Sequence, residues 1–133
     1  MKNPFNHQWT WIVLAIAMNM LSILFMQQGK SPLTATDPVT GIGLFAVYTP
    51  VLLLGMRDWR KVYLLGTVAL VVIVFLGGIL KHVGAFFEPT GLEGYASLFW
   101  WFIAIALNGY GVIASVFGMF HASRSTPTRS LST

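Results

Sequence analysis

The stretch VYLLGTVALVVIVFLGGIL, residues 62–80, contains no charged side chain and decides what class of protein this is. A helix needs about 20 apolar residues to cross the roughly 30 Å hydrocarbon core of a bilayer, and this stretch has that length. Three more uncharged stretches flank it, at residues 9–26, 39–56 and 95–120. We therefore predict an all-α membrane protein in which residues 1–122 form a bundle of four transmembrane helices.

The composition also indicates a lipid environment. Of the 133 residues, 56% are apolar and only 9% are charged, whereas a soluble domain has about 25% charged residues. The net charge of +4 does not indicate nucleic-acid binding, because the basic residues lie at the ends of the apolar stretches. The absence of cysteine excludes disulfides, thiolate metal sites and a cysteine nucleophile.

The basic residues predict the orientation of the chain. Six of the eight precede the first stretch, separate the second from the third, or follow the fourth. They are Lys2, Arg57, Arg60, Lys61, Arg124 and Arg129. Because cytoplasmic loops are enriched in Lys and Arg, we predict a multi-pass protein of a bacterial-type inner (plasma) membrane with both termini in the cytoplasm. Residues 123–133 lack apolar periodicity and are predicted to form a disordered cytoplasmic tail.

The tryptophans are expected to mark the membrane interfaces. All five lie near the ends of the predicted helices: Trp9, Trp11, Trp59, Trp100 and Trp101. Tryptophan is enriched where the hydrocarbon core meets the headgroups. We therefore expect these side chains to form aromatic belts.

Two helices carry a stripe of small and polar residues. In AIAMNMLSIL, residues 15–24, Asn19 shares a helix face with Ala15 and Ser22. The fourth stretch repeats the pattern at alternating spacings of four and three, in Ala104, Asn108, Gly111, Ser115 and Gly118. Small residues allow close backbone approach between membrane helices. We therefore predict antiparallel packing of the first and fourth helices, with Asn19 and Asn108 within reach of each other.

An alternative is that the two amides line a polar cavity together with Tyr48, Thr67 and Tyr110. Pro50 is a candidate helix break, because it removes the hydrogen bond to the Ala46 carbonyl. Polar residues inside membranes often mark pathways. Against this alternative, the four stretches contain no Asp, Glu, Lys, Arg or His, which are the ionisable residues that usually mark such a pathway.

Few residues are candidates for chemistry. His7 and His121 are the only pair that topology places on one side for haem or metal binding, and His82, Glu88 and Glu93 are the only acid/base candidates. The chain has neither an HExxH nor a GxSxG motif. We therefore expect neither a cofactor nor enzymatic activity.

These observations favour a non-catalytic accessory or scaffolding subunit, which packs in the bilayer against itself as a homo-oligomer or against a larger membrane complex. A small homo-oligomeric channel or transporter, built on the Pro50 helix and the Asn19/Asn108 level, is the alternative. A haem- or quinone-binding redox subunit is the third interpretation.

The predicted contact between the first and fourth helices can be tested by cross-linking. We expect the double variant Asn19→Cys/Asn108→Cys to form a cross-link in membranes, because both positions lie at a similar depth. No native cysteine interferes. The absence of any cross-link, within or between chains, contradicts the shared stripe.

Overall fold

The computed structural model describes residues 3 and 5–124, and the regular structure in them is helical. Four helices are long and apolar enough to cross a membrane, which confirms the prediction of an all-helical chain with four such helices. The third consists of α3, a π-helical segment and α4 in direct succession. The elements are α1 (Asn6–Gln27), α2 (Pro38–Met56), α3 (Arg60–Ile73), the π segment (Val74–Leu80), α4 (Lys81–Ala85), a 3-10 helix (Gly91–Gly94) and α5 (Leu98–Arg124).

The helices form a four-membered bundle in which α1 packs against α2 and α5, and α3 packs against the same two helices. At one end, the Phe5 ring meets the Tyr63 ring edge-on with centroids 5.3 Å apart, and the Arg60 guanidinium donates to the Ser123 carbonyl. We call this the terminal end. The opposite end, formed by residues 28–37 and 86–97, is called the loop end.

Four helix boundaries differ from the sequence prediction by three or more residues. Helix α1 begins at Asn6 rather than at Trp9. The third helix continues beyond Leu80 to Ala85 and therefore includes Lys81 and His82. Both residues lie outside the predicted stretch 62–80, because charged and polar side chains end an apolar stretch. The uncharged stretches contain no charged residue and no histidine, whereas three of the four helices that can span a membrane include such residues near their ends. These residues are His7 in α1, Arg60, Lys61, Lys81 and His82 in the third helix, and His121 and Arg124 in α5.

The start of α5 also moves, from Tyr95 to Leu98. Tyr95 has an extended backbone and a buried ring, because its hydroxyl is hydrogen-bonded to His82. At the other end of α5, Ser123 and Arg124 are helical. The remainder of the predicted tail, residues 125–133, lies outside the described residues.

The departure from α-helical geometry occurs in the third helix and not at Pro50 of α2. Helix α2 is helical on both sides of Pro50, whereas Val74–Leu80 forms a π helix that contains Gly77 and Gly78. In a π helix the hydrogen bonds run from i to i+5, and such segments are frequent at functional sites. The π segment packs against α5, and a Cβ built on Gly78 would lie 2.8 Å from Asn108 Nδ2. The segment thus brings the third helix close to the Asn108 amide.

The apolar core is centred on Trp11. Its side chain is only 1% exposed and meets the Phe45 ring edge-on at 5.0 Å. A Cβ on Gly111 would overlap the indole, so the absence of a side chain at Gly111 lets α1 and α5 approach. The prediction that Trp11 joins an aromatic belt is wrong, because position 11 lies on the same buried face as Ala15.

The first loop is fastened to the bundle at two points. The Leu33 N–H donates to Ser22 Oγ at 3.0 Å, and the Leu33 side chain is fully buried. Asp37 then caps α2 by accepting from the Thr40 hydroxyl at 2.6 Å and from its N–H at 2.7 Å. These hydrogen bonds hold the pKa of Asp37 below its usual value. The loop therefore covers the loop end of the bundle in a defined position.

The Trp11–Gly111 contact predicts a strong difference between two glycines of α5. Gly111→Ala places a methyl group inside the indole and should lower the free energy of unfolding by about 1–3 kcal/mol. Gly109→Ala is the matched control, because a Cβ there meets nothing within 4 Å. Unfolding in detergent measures both, and equal stabilities would contradict the close α1–α5 contact.

Candidate functional site

A buried hydrogen-bond network occupies the half of the bundle near the terminal end. Gln8 is fully buried; its Nε2 donates to the Tyr48 hydroxyl, and its Oε1 accepts from the Tyr63 hydroxyl, each at 3.0 Å. The hydroxyls of Tyr48 and Thr67 lie 2.9 Å apart. A Cβ on Gly118 would lie 2.7 Å from Gln8 Oε1. One amide is therefore in contact with residues of α2, α3 and α5. We call Gln8, Tyr48, Tyr63 and Thr67 the Gln8 network.

The Gln8 network is suited to holding the helices together. Amides, phenols and hydroxyls are uncharged near neutral pH. A buried polar group that lacks a partner is costly, so a network with its hydrogen bonds formed favours one arrangement of the helices. The sequence prediction missed Gln8 because α1 was expected to begin after it. The available signal was spacing, since Gln8, Ala15 and Ser22 are separated by seven residues each and all three are buried.

The half of the bundle near the loop end contains a cavity of about 290 Å³. Asn19 and Asn108 both line it. The other members proposed for that cavity lie elsewhere: Tyr48 and Thr67 belong to the Gln8 network, and Tyr110 is hydrogen-bonded to His7. The polar lining instead includes threonines of the first loop and α2, together with Lys81 and His82.

Each amide packs against a glycine of a different helix. Asn19 donates from Nδ2 to the Ala15 carbonyl at 2.8 Å, and a Cβ on Gly41 would lie 2.6 Å from its Oδ1. Asn108 instead faces Gly78 of the π segment. The two amides thus share one cavity while each also fills a gap left by a neighbouring glycine.

The rest of the predicted stripes lies inside the bundle. On α5, four of the five positions are buried, and Asn108 is partly buried where it lines the cavity. On α1, Ala15 and Ser22 are buried beside Asn19. The buried stripe positions of α5 are Ala104, Gly111, Ser115 and Gly118.

His82 is held at the loop end between two aromatic residues. Its ring is buried and its Nδ1 is hydrogen-bonded to the Tyr95 hydroxyl, while its carbonyl accepts from Trp101 Nε1 at 2.7 Å. Burial raises the pKa of Tyr95. Glu88 and Glu93 are exposed on the loop. The partner of the His82 ring is therefore a tyrosine rather than one of the two carboxylates.

The other two histidines lie near the terminal end. His7 Nδ1 is 3.0 Å from the Tyr110 hydroxyl, at an exposed position. His121 is exposed in the last turn of α5. Within residues 3 and 5–124, no three side chains of the metal-binding types His, Cys, Asp and Glu form a group that could hold a metal ion.

Comparisons of the chain with protein-family models, with curated proteins and with solved structures give no match.

The Gln8 network predicts that removing one of its hydroxyls destabilises the folded protein. Tyr48→Phe leaves Gln8 Nε2 without its acceptor and should lower the free energy of unfolding by about 1–2 kcal/mol. Tyr110→Phe removes a hydroxyl whose partner, His7, is exposed, and should have a much smaller effect. Denaturant titration in detergent compares the two, and equal losses would show that burial of the network carries no stability.

Proposed function

We propose that the protein is a multi-pass inner-membrane protein with both termini in the cytoplasm, and that it acts as a non-catalytic accessory or scaffolding subunit. The charge distribution supports this orientation. Arg57, Arg60, Lys61 and Arg124 all belong to the terminal end. At the loop end, the three acidic residues Asp37, Glu88 and Glu93 outnumber the basic Lys30, even when Lys81 of the adjoining α4 is added. Cytoplasmic loops carry the excess of basic residues.

The surface of α5 is the observation that carries the accessory role. On the side opposite the buried stripe, five large apolar residues have exposed fractions between 59% and 70%. Ala106 and Gly109 interrupt them, and a Cβ on Gly109 meets nothing within 4 Å. A small-residue gap between large apolar side chains fits closely against another membrane helix. We call this surface the α5 outer face: Phe99, Phe102, Ala106, Gly109, Ile113, Phe117 and Phe120.

A channel or transporter is the second candidate, and the cavity is the observation that favours it. Both amides and the π segment border the cavity, whereas Pro50 is absent from its lining. A conducting path in this candidate would therefore run beside the third helix rather than beside the Pro50 turn. Flux into liposomes that contain the purified protein tests this candidate directly.

The proposed orientation can be tested with two serine-to-cysteine variants. Ser31→Cys lies on the first loop and Ser123→Cys lies at the end of α5, and both side chains are exposed. A membrane-impermeant maleimide should label Ser31→Cys in intact spheroplasts and Ser123→Cys only after lysis. The reverse pattern would overturn the topology.

The accessory role can be tested through the native mass of the tagged protein extracted gently from its own membranes. We expect a defined assembly that Gly109→Leu disrupts, because leucine fills the gap in the α5 outer face. Gly43→Leu is the matched control, since Gly43 is an exposed helical glycine whose Cβ also meets nothing within 4 Å. A monomer in all three preparations would contradict the accessory role.

A further inference from the structure

We propose that the cavity near the loop end binds a membrane-dissolved amphiphile whose compact head group carries hydrogen-bond acceptors. This site goes beyond the accessory role, which depends on the α5 outer face. Either proposal can fail while the other stands, because the cavity lies between the helices and shares no lining residue with the α5 outer face.

The polar lining of the cavity favours an acceptor-bearing head group. Asn108 presents an amide and Lys81 an ammonium group. One Asn19 N–H is used by the Ala15 carbonyl, which leaves the other for a ligand. Among the described residues that line the cavity there is no Asp or Glu, so a cationic head group would lack a counter-charge. Carbonyl, hydroxyl or carboxylate oxygens match these donors.

The apolar walls and the volume limit the size of the head group. Between the polar residues, the cavity is walled by Met18, Leu44, Phe45, Val74 and Leu107. Pockets for small molecules have volumes of roughly 300–1,000 Å³, so about 290 Å³ is at the lower limit. The cavity therefore accepts one ring or a short chain segment, and a longer tail would have to extend outside it.

The exposed rim shows where such a tail would leave. Four lining residues are exposed, and they lie on α2 and on the third helix: Thr40, Ile73, Gly77 and Lys81. Towards the loop end, the first loop covers the bundle, with Thr34 buried and Leu33 held by Ser22. The opening therefore faces sideways, between α2 and the π segment.

A sideways opening between two membrane-spanning helices admits molecules dissolved in lipid. Gly77 lies on this rim, and a Cβ there meets nothing within 4 Å. The absence of a side chain at Gly77 keeps the entrance wide. The glycine pair of the π segment thus has two roles, since Gly78 receives Asn108 while Gly77 leaves the entrance clear.

The test uses the full chain in nanodiscs and two probes, a decyl-substituted 1,4-benzoquinone and decanoate, with decylbenzene as the probe that lacks acceptors. We expect saturable binding of at least one acceptor-bearing probe, at one molecule per chain, by isothermal titration. Asn108→Leu should weaken binding by about tenfold, as expected for a lost hydrogen bond in an apolar site. Lys81→Gln distinguishes a carboxylate head group from an uncharged carbonyl one, because the substitution should weaken the binding of decanoate and leave the binding of the quinone unchanged.

Two glycine variants keep the test informative even if Asn108→Leu does not fold. Gly77→Leu should block the entrance and abolish binding, whereas Gly43→Leu, on α2 and away from the cavity lining, should bind as the natural chain does. Equal binding of decylbenzene, unchanged binding in Gly77→Leu, or no saturable binding of either acceptor-bearing probe would overturn the proposal.

Discussion

The buried Gln8 amide is the interaction on which the arrangement of the helices depends. It lies in α1, exchanges hydrogen bonds with tyrosines of α2 and α3, and packs against Gly118 of α5. In apolar surroundings a polar side chain must find its partners within the protein. Since the partners of Gln8 come from different helices, satisfying this one group fixes their relative positions. The Trp11–Gly111 contact, one turn further along α1, is compatible with the same placement of α5.

The two halves of the bundle differ because their buried polar residues pack against different neighbours. Near the terminal end, the Gln8 network and the Trp11 core fill the interior. Near the loop end, Asn19 and Asn108 face glycines rather than large side chains, and the third helix changes to π geometry. Space remains between the helices there, with polar groups around it. The same four helices thus combine a filled half, which gives the bundle its shape, with a hollow half that can receive a ligand.

Long uncharged stretches made the four helices predictable, because nothing else in a chain of this size requires such stretches. The buried face of α5 followed from the spacing of its small residues. The helix ends were harder to predict from the sequence. Gln8, Lys81 and His82 are polar residues of the kind that is common in loops, although in the structure they continue helices. The π segment has no signature beyond Gly77 and Gly78. The cavity depends on how side chains of four helices pack against one another. The periodicity of residues within one helix carries no information about that packing.

A double-mutant cycle between Gln8 and Tyr63 tests most directly whether the buried amide holds the helices together. The free energy of unfolding in detergent would be measured for the natural chain, Gln8→Leu, Tyr63→Phe and the double variant. We expect a coupling energy of about 1 kcal/mol or more, above the roughly 0.6 kcal/mol average for polar contacts between membrane helices. Additive losses would contradict the central role of Gln8, because the two side chains would then contribute independently of their hydrogen bond.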